Sequence, residues 1–316
     1  MKDTDASLVE ELANPGISEG YYFKPKVPVK RLSDAPVNFR LLQTNWTRMS
    51  YTSLRAEMEK YPKVSTGTAR DEYDQFIFNQ LTKGSKTGNM LHYIFETLHF
   101  ANNAKWPAVI DKAIKRFSPA QKAQYEPGLA AMINHVLNAE IIAADISFTL
   151  KEVEFDQRIH EFEFDFPVSS FNPLELKKLS NETISINVKS RYELEGIMNG
   201  KIDMLFECRA KYFVLDWKST FLGDSMEHYA PSALNEAMNE SNYHLQYLIY
   251  TVATKKYLES RIPGFNYEKD FGGVLYLFVR GLREGTNNGI FYCKPSREII
   301  ESLEHILYKN EGLPVA

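Results

Sequence analysis

The chain has 316 residues and is 44% hydrophobic, enough for a sizeable core in one large domain or two modest ones. Its 37 Lys and Arg against 41 Asp and Glu give a net charge of −4, which excludes the broadly basic surface of a freestanding nucleic-acid binder; any polyanion must meet a local basic groove. Two cysteines, Cys208 and Cys293, fit a reducing compartment and are too few for an iron–sulfur cluster or a tetrathiolate zinc site.

The N-terminus carries Asp3 and Asp5 and no apolar h-region, and no uncharged apolar run is long enough to span a membrane, so the cytosol is the expected compartment and no membrane partner is expected. Residues 1–45, with the run Lys24-Pro25-Lys26-Val27-Pro28-Val29-Lys30-Arg31, read as an extended linker or N-terminal arm, leaving 46–316 as the folded domain. Helical spacing runs from Asp71 through Leu81 and resumes after Gly84 with Leu91, Ile94, Phe95 and Leu98. The segment Lys83-Gly84-Ser85-Lys86-Thr87-Gly88 has the flavour of a phosphate-binding loop but lacks its spacing and follows a helix, so its glycines mark a turn before the His92 helix. Ser118-Pro119 opens another helix.

From Val153 to Val168 the period changes to two. Ile159, Glu161, Glu163 and Asp165 fall on one side, and His160, Phe162, Phe164 and Phe166 on the other. Asn187 to Met198 reads as a further strand, followed by a hairpin over Gly200–Ser219. Met226 to Leu258 reads as helix, Phe271 to Arg280 as a strand and Ser296 to Tyr308 as a closing helix. This order predicts an α/β or α+β domain with a mixed sheet flanked by helices.

The hairpin GKIDMLFECRAKYFVLDWKS is ready for burial, yet Asp203, Asp216 and Lys218 interrupt its apolar runs. Alternation puts Asp216 and Lys218 on one face, and a hairpin can lay Asp203 beside them. A lone Asp-x-Lys is most simply a cross-strand ion pair worth roughly 0.2–1 kcal/mol. Two neighbouring carboxylates repel, however, and a divalent cation relieves that repulsion, while the lysine can neutralise charge on a scissile phosphate or help position water.

At this point the sequence resembles the D…[DE]-x-K nuclease superfamily, and within it the RecB-type C-terminal nuclease domains of helicase–nucleases. The resemblance is carried, in order, by Gly88-Asn89-Met90-Leu91-His92 with Phe95-Glu96, and by Glu161-Phe162-Glu163-Phe164 with Pro167. It continues through Gly200-Lys201-Ile202-Asp203, Asp216-Trp217-Lys218-Ser219, Gln246 with Tyr250, and the strand Gly272 to Gly281. It implies a restriction-endonuclease-like α/β core with a central mixed sheet flanked by helices. His92, Asp203 and Asp216 would be side-chain metal ligands, the Trp217 carbonyl a further ligand and Lys218 the catalytic lysine. Glu161 would match the first acid of the family's E-x-E-F strand, and Gln246 and Tyr250 its Q-x-x-x-Y helix. Trp217 stands where tyrosine is usual, and Cys208-Arg209-Ala210-Lys211 lacks the usual turn glycine.

Alone, His92 on its apolar helix would be a core residue; the resemblance makes it a ligand. Its nitrogen is soft for Mg2+ and suggests that Mn2+ is accepted, or that Ca2+ binds without turnover. Gln246 and Tyr250 share a helical face and are expected to hydrogen-bond the DNA backbone or orient Lys218. For Glu161 a solvated strand edge is the competing reading, since Glu163 and Asp165 share its side. Arg280 reads as reaching either a phosphate or a structural carboxylate and stays outside the site.

The resulting expectation is a metal-dependent DNA nuclease domain separated from a helicase, with DNA, a helicase domain of the same parent chain or complex and RecC- or RecD-like subunits as partners, acting in double-strand break repair and DNA end processing. The rival readings are a nuclease-like fold kept as a DNA-binding or subunit-docking module, and a hydrolase of some other phosphodiester.

Overall fold

The computed structural model describes residues 46–55, 71–189 and 192–308. The linker or arm expected over 1–45 lies outside them. In chain order the main elements are strand β1 (Trp46–Met49), helices α1 (Ser85–Thr97), α2 (Trp106–Phe117) and α3 (Lys122–Asn138), and the small hairpin β2 (Glu140–Ala143) and β3 (Ile146–Thr149). There follow β4 (Arg158–Phe171), β5 (Leu194–Cys208), β6 (Lys211–Lys218), α4 (Pro231–Glu240), α5 (Tyr243–Arg261), β7 (Phe271–Phe278), β8 (Ile290–Cys293) and α6 (Arg297–Tyr308).

One mixed sheet organises the domain in the order β1-β5-β6-β7-β8, with β4 also paired to β5. The flanking helices make it compatible with the restriction-endonuclease-like core expected. The centre of the sheet is β5, which runs through the segment expected to begin the hairpin and so is one long strand. Its pairing with β4 covers Leu194 to Phe206 along one edge. The other edge is shared: β1 pairs in parallel over Glu195–Met198, and β6 pairs antiparallel from Met204 to Cys208. Between these two partners, no strand among the described residues pairs with 199–203 on that edge, so the sheet opens there into a gap.

The helices lie on the sheet because of which residues face them. Every residue of β6 from Phe213 to Lys218 is buried, so both faces of the strand are covered. On one face Trp217 stacks on Phe95 of α1 at 4.4 Å between ring centroids. On the other, Asp216 and Lys218 face α5. Helix α6 packs against β4 and α5. The long helix expected from Met226 to Leu258 is divided, because Ser241 and Asn242 break it and Asn242 takes a left-handed backbone with φ 56°.

Two glycines set how α1 meets the sheet. Gly84 begins the helix with φ 111°, a conformation that favours glycine, as the turn reading requires. At Gly88 a Cβ would lie 3.0 Å from Ser219 Oγ, so the missing side chain lets the helix approach the end of β6. The alternation expected along β4 is interrupted at Glu161, whose φ is 53°. His160 packs edge-on to Phe100, whereas Phe162 and Phe164 pack on Tyr257 and Tyr250 of α5, so His160 does not share their packing.

The β5–β6 turn explains the missing glycine in another way. Cys208 pairs with Lys211, leaving Arg209 and Ala210 as a two-residue loop with φ of 51° and 59°. Such a turn matches strand twist but charges L-residues for a left-handed backbone. Ala210→Gly is therefore expected to stabilise the chain by about 0.5–1 kcal/mol, the relief at Ala210 exceeding the glycine's extra unfolded-state entropy. Urea unfolding of the two chains measures it, and an unchanged or lower stability would contradict the strain.

Candidate active site

The gap in the sheet is where the chain gathers its buried charge. Continuing the β5–β6 register one step beyond Met204–Leu215 sets Asp203 opposite Asp216. The unpaired strand ends take side-chain partners instead of a neighbouring strand. Asp203 Oδ2 accepts the Trp217 backbone N–H at 2.8 Å, and the Tyr250 hydroxyl donates to the Lys201 carbonyl at 2.8 Å.

From α1, His92 Nδ1 comes within 3.5 Å of Asp203 Oδ2. Burial would depress the imidazole, but the hydrogen bond and charge of Asp203 raise it above its ordinary value. Asp216 Oδ2 lies 2.6 Å from Lys218 Nζ, and both residues are almost wholly buried. Burial first, and Asp203 next to it, push the Asp216 carboxyl up to about 6 against the pull of Lys218. Burial likewise opposes the Lys218 charge, yet the carboxylate of Asp216 keeps the ammonium protonated, above its ordinary range.

The lysine is held from α5 by a directed relay. Lys218 Nζ donates to Gln246 Oε1 at 3.1 Å, Gln246 Nε2 donates to the Tyr250 hydroxyl at 2.9 Å, and that hydroxyl donates to Lys201. Each group in the relay has a partner for its donor, which fixes the amide's orientation and the lysine's direction. Of the two roles expected for Gln246 and Tyr250, their hydrogen bonds run to Lys218 and the sheet edge.

The structure thus brings together His92, Asp203, Asp216, Lys218, Gln246 and Tyr250. Glu161 lies on β4 between His160 and Phe162, whose partners Met204 and Ile202 flank Asp203, but its carboxylate is taken by Lys201 Nζ and not by the central group. Trp217 contributes its backbone here, since its indole is stacked on α1. Among the described residues Arg280 forms no ion pair with a carboxylate. It is buried and donates to the carbonyls of Ile77, Leu81, Thr82 and Ser219, joining the segment before α1 to the end of β6.

An imidazole nitrogen and two carboxylates are a donor set suited to a divalent cation, and such an ion would offset both the burial and, after it, the Asp203 repulsion that raise Asp216. Among the described residues no three His, Cys, Asp or Glu side chains stand gathered for an ion as they are. Asp216 is turned to the lysine, whose ammonium supplies the counter-charge.

Two aromatic neighbours of the lysine escape the motif reading. Tyr243 and Tyr276 present their rings 3.8 Å and 4.8 Å from Lys218 Nζ. The first had a signal, because Tyr243, Gln246 and Tyr250 recur at i, i+3 and i+7 on one helical face. The second becomes visible only once β7 is known to lie beside β6.

No family model matches the chain. Among curated proteins it is similar to the RecBCD enzyme subunit RecB of Buchnera aphidicola (subsp. Acyrthosiphon pisum), with 34% identity over 229 residues, 69% of this chain and 19% of that protein. The same subunit of Haemophilus influenzae is 33% identical over 255 residues, covering 77% of this chain and 20% of that protein. That of Escherichia coli K12 is 29% identical over 300 residues, 88% and 25% respectively. The chain belongs to the RecB family. It spans between 19% and 25% of the length of these three RecB proteins. Among its described residues no helix is long and apolar enough to cross a membrane.

The site's electrostatics give a measurable slope. Asp216 keeps its proton to about pH 6 when folded, whereas an unfolded aspartate releases it near pH 4, so ionisation costs stability as pH rises through that window. In the metal-free chain, Asp216→Asn is expected to gain stability relative to the parent between about pH 4 and 6, by at most about 1.4 kcal/mol per pH unit. Parallel urea titrations across that range test it. A pH-independent difference would mean that Asp216 is not the group taking up the proton.

Proposed function

We propose that this chain is a metal-dependent deoxyribonuclease domain that hydrolyses phosphodiester bonds as part of a RecB-like helicase–nuclease. The observation that carries this reading is the pair Asp203 and Asp216 on facing strands, with Lys218 buried beside them and aimed by Gln246. Such a charge cluster costs desolvation that a merely structural hairpin would avoid with apolar residues.

His92, Asp203 and Asp216, with the Trp217 carbonyl, would hold the ion. Mg2+ is the expected metal, Mn2+ an accepted substitute and Ca2+ a binder without turnover; the bound cation supplies Lewis acidity toward water and phosphate. Lys218 acts as a fixed positive charge that stabilises the extra negative charge on the phosphate as the P–O bond breaks. Gln246 and Tyr250 hold that charge in place, so the lysine pays little reorganisation during the reaction. Glu161, whose carboxylate is on Lys201, stands one strand away and acts on the edge of the site.

DNA would enter along the gap, beside a cavity of about 180 Å³ lined in part by Ser50, Thr52, Lys201, Gln246 and Tyr250. A helicase in the same polypeptide or complex would deliver the strand, and RecC- and RecD-like subunits are the further partners that the relatives' name suggests. Double-strand break repair and DNA end processing are the settings that fit.

Lys218→Met and Asp216→Asn are each expected to lower cleavage of linear DNA by about a hundredfold or more while circular dichroism stays native. The assay compares linear and circular, single- and double-stranded DNA with Mg2+, Mn2+, Ca2+ or chelator. Near-parental turnover by either folded variant would reject the assignment. No cleavage by the parent with any metal would favour a DNA-binding or docking module instead. If contacts to phosphates carry the DNA affinity, cleavage at limiting DNA should fall as salt is added, with a slope set by the number of phosphates neutralised. A rate that does not change between low and near-physiological salt would contradict a dominant phosphate contribution.

A further inference from the structure

We propose that Tyr243, seconded by Tyr276, is a positioning residue that holds the Lys218 ammonium against its ring face and so keeps the lysine aimed at the phosphate. The proposal rests on the nuclease reading above and deepens it.

The Lys218 ammonium has three N–H donors. Asp216 at 2.6 Å and Gln246 at 3.1 Å take two of them. On the remaining sides stand the rings of Tyr243 at 3.8 Å and Tyr276 at 4.8 Å, inside the range where a ring quadrupole attracts a cation. In a desolvated site this attraction is stronger than at a surface, and the rings also shut out the water that would let a flexible lysine swing. Asp216 belongs to the set proposed to hold a cation, so its grip on the lysine is one that a bound ion would share. The ring contact is not shared in that way.

Tyr243 is itself fixed from behind. It is the first residue of α5, and Asn242 before it takes φ 56°, a costly left-handed backbone that the structure must hold. Two side-chain hydrogen bonds hold it: Asn242 Oδ1 accepts from the Asn187 N–H at 3.0 Å, and Asn242 Nδ2 donates to the Asn187 carbonyl at 2.8 Å. Tyr276 is fully buried in β7, its ring 5.6 Å from that of Tyr243, so the two rings form one wall.

The test uses the full chain labelled with 13C and 15N at lysine, with the Lys218 signals assigned from Lys218→Arg. In the parent, the Lys218 ε-methylene should be displaced upfield by the ring current. Tyr243→Leu should abolish that displacement and lower kcat for DNA cleavage at least tenfold with KM within twofold, whereas Tyr243→Phe, which keeps the ring, should recover most of both. Tyr243→Met, unbranched and without a π face, serves if the leucine variant does not fold. An unmoved Lys218 signal in a folded ring-less variant overturns the proposal, as does parental kcat in that variant. If the parent chain cleaves no DNA, the nuclease reading falls, and the Lys218 shift alone decides whether the clamp exists.

Discussion

Burying Asp216 a strand's width from Asp203 is unfavourable on its own, because each carboxylate loses water and each repels the other. The contact between Asp216 and Lys218 makes that burial tolerable, and much of the local architecture follows from keeping it satisfied. A buried lysine in turn needs its other donors placed. Gln246 and the ring of Tyr243 supply those places, which requires α5 to begin where it does and to run along this face of the sheet. Replacing such a pair by apolar residues of similar volume is often neutral or stabilising. Its presence at the centre of the domain is thus an argument from chemistry, since packing alone would not select it.

The gap beside β5 is the second constraint. A strand edge buried without a partner leaves backbone groups unsatisfied, at a cost comparable to a lost hydrogen bond for each. Here the edge is closed by side chains: the Tyr250 hydroxyl on the Lys201 carbonyl and the Asp203 carboxylate on the Trp217 N–H. The same groups thus complete the sheet and furnish the site. A substitution at Tyr250 or Asp203 therefore affects sheet closure as well as the polar cluster.

What could be read from the residues was whatever depends on local periodicity. The alternation that pairs Asp216 with Lys218 on one face, the turn at Gly84 and the apolar strand read over Phe271 to Arg280, which ends at Phe278, all follow from side-chain order along the chain. The Gln246 and Tyr250 spacing likewise put both on one face of α5. Local order could not show Asn242 breaking a helical pattern, since its left-handed backbone is held by Asn187, far off in sequence. Nor could it show Arg280 passing over acidic partners for four carbonyls. A guanidinium is satisfied as readily by oriented backbone oxygens as by a carboxylate, and only the fold reveals which it meets.

Glu161 shows how far position and contact can diverge. Its neighbours His160 and Phe162 pair with Met204 and Ile202, which brings Glu161 to the level of Asp203, yet its backbone is left-handed and its carboxylate meets Lys201. Glu163 and Asp165 on the same strand are exposed, and Asp165 pairs with Arg48. They behave as a solvated edge, whereas Glu161 is half-buried and paired with Lys201. Lys201 joins the two regions: its ammonium holds Glu161, and its carbonyl receives the Tyr250 hydroxyl that ends the relay from Lys218. A shift of the β5 backbone at Lys201 would therefore be felt both by the acid on β4 and by the lysine on β6. That coupling runs through a single residue of β5, held by one side chain at its ammonium and by another at its carbonyl.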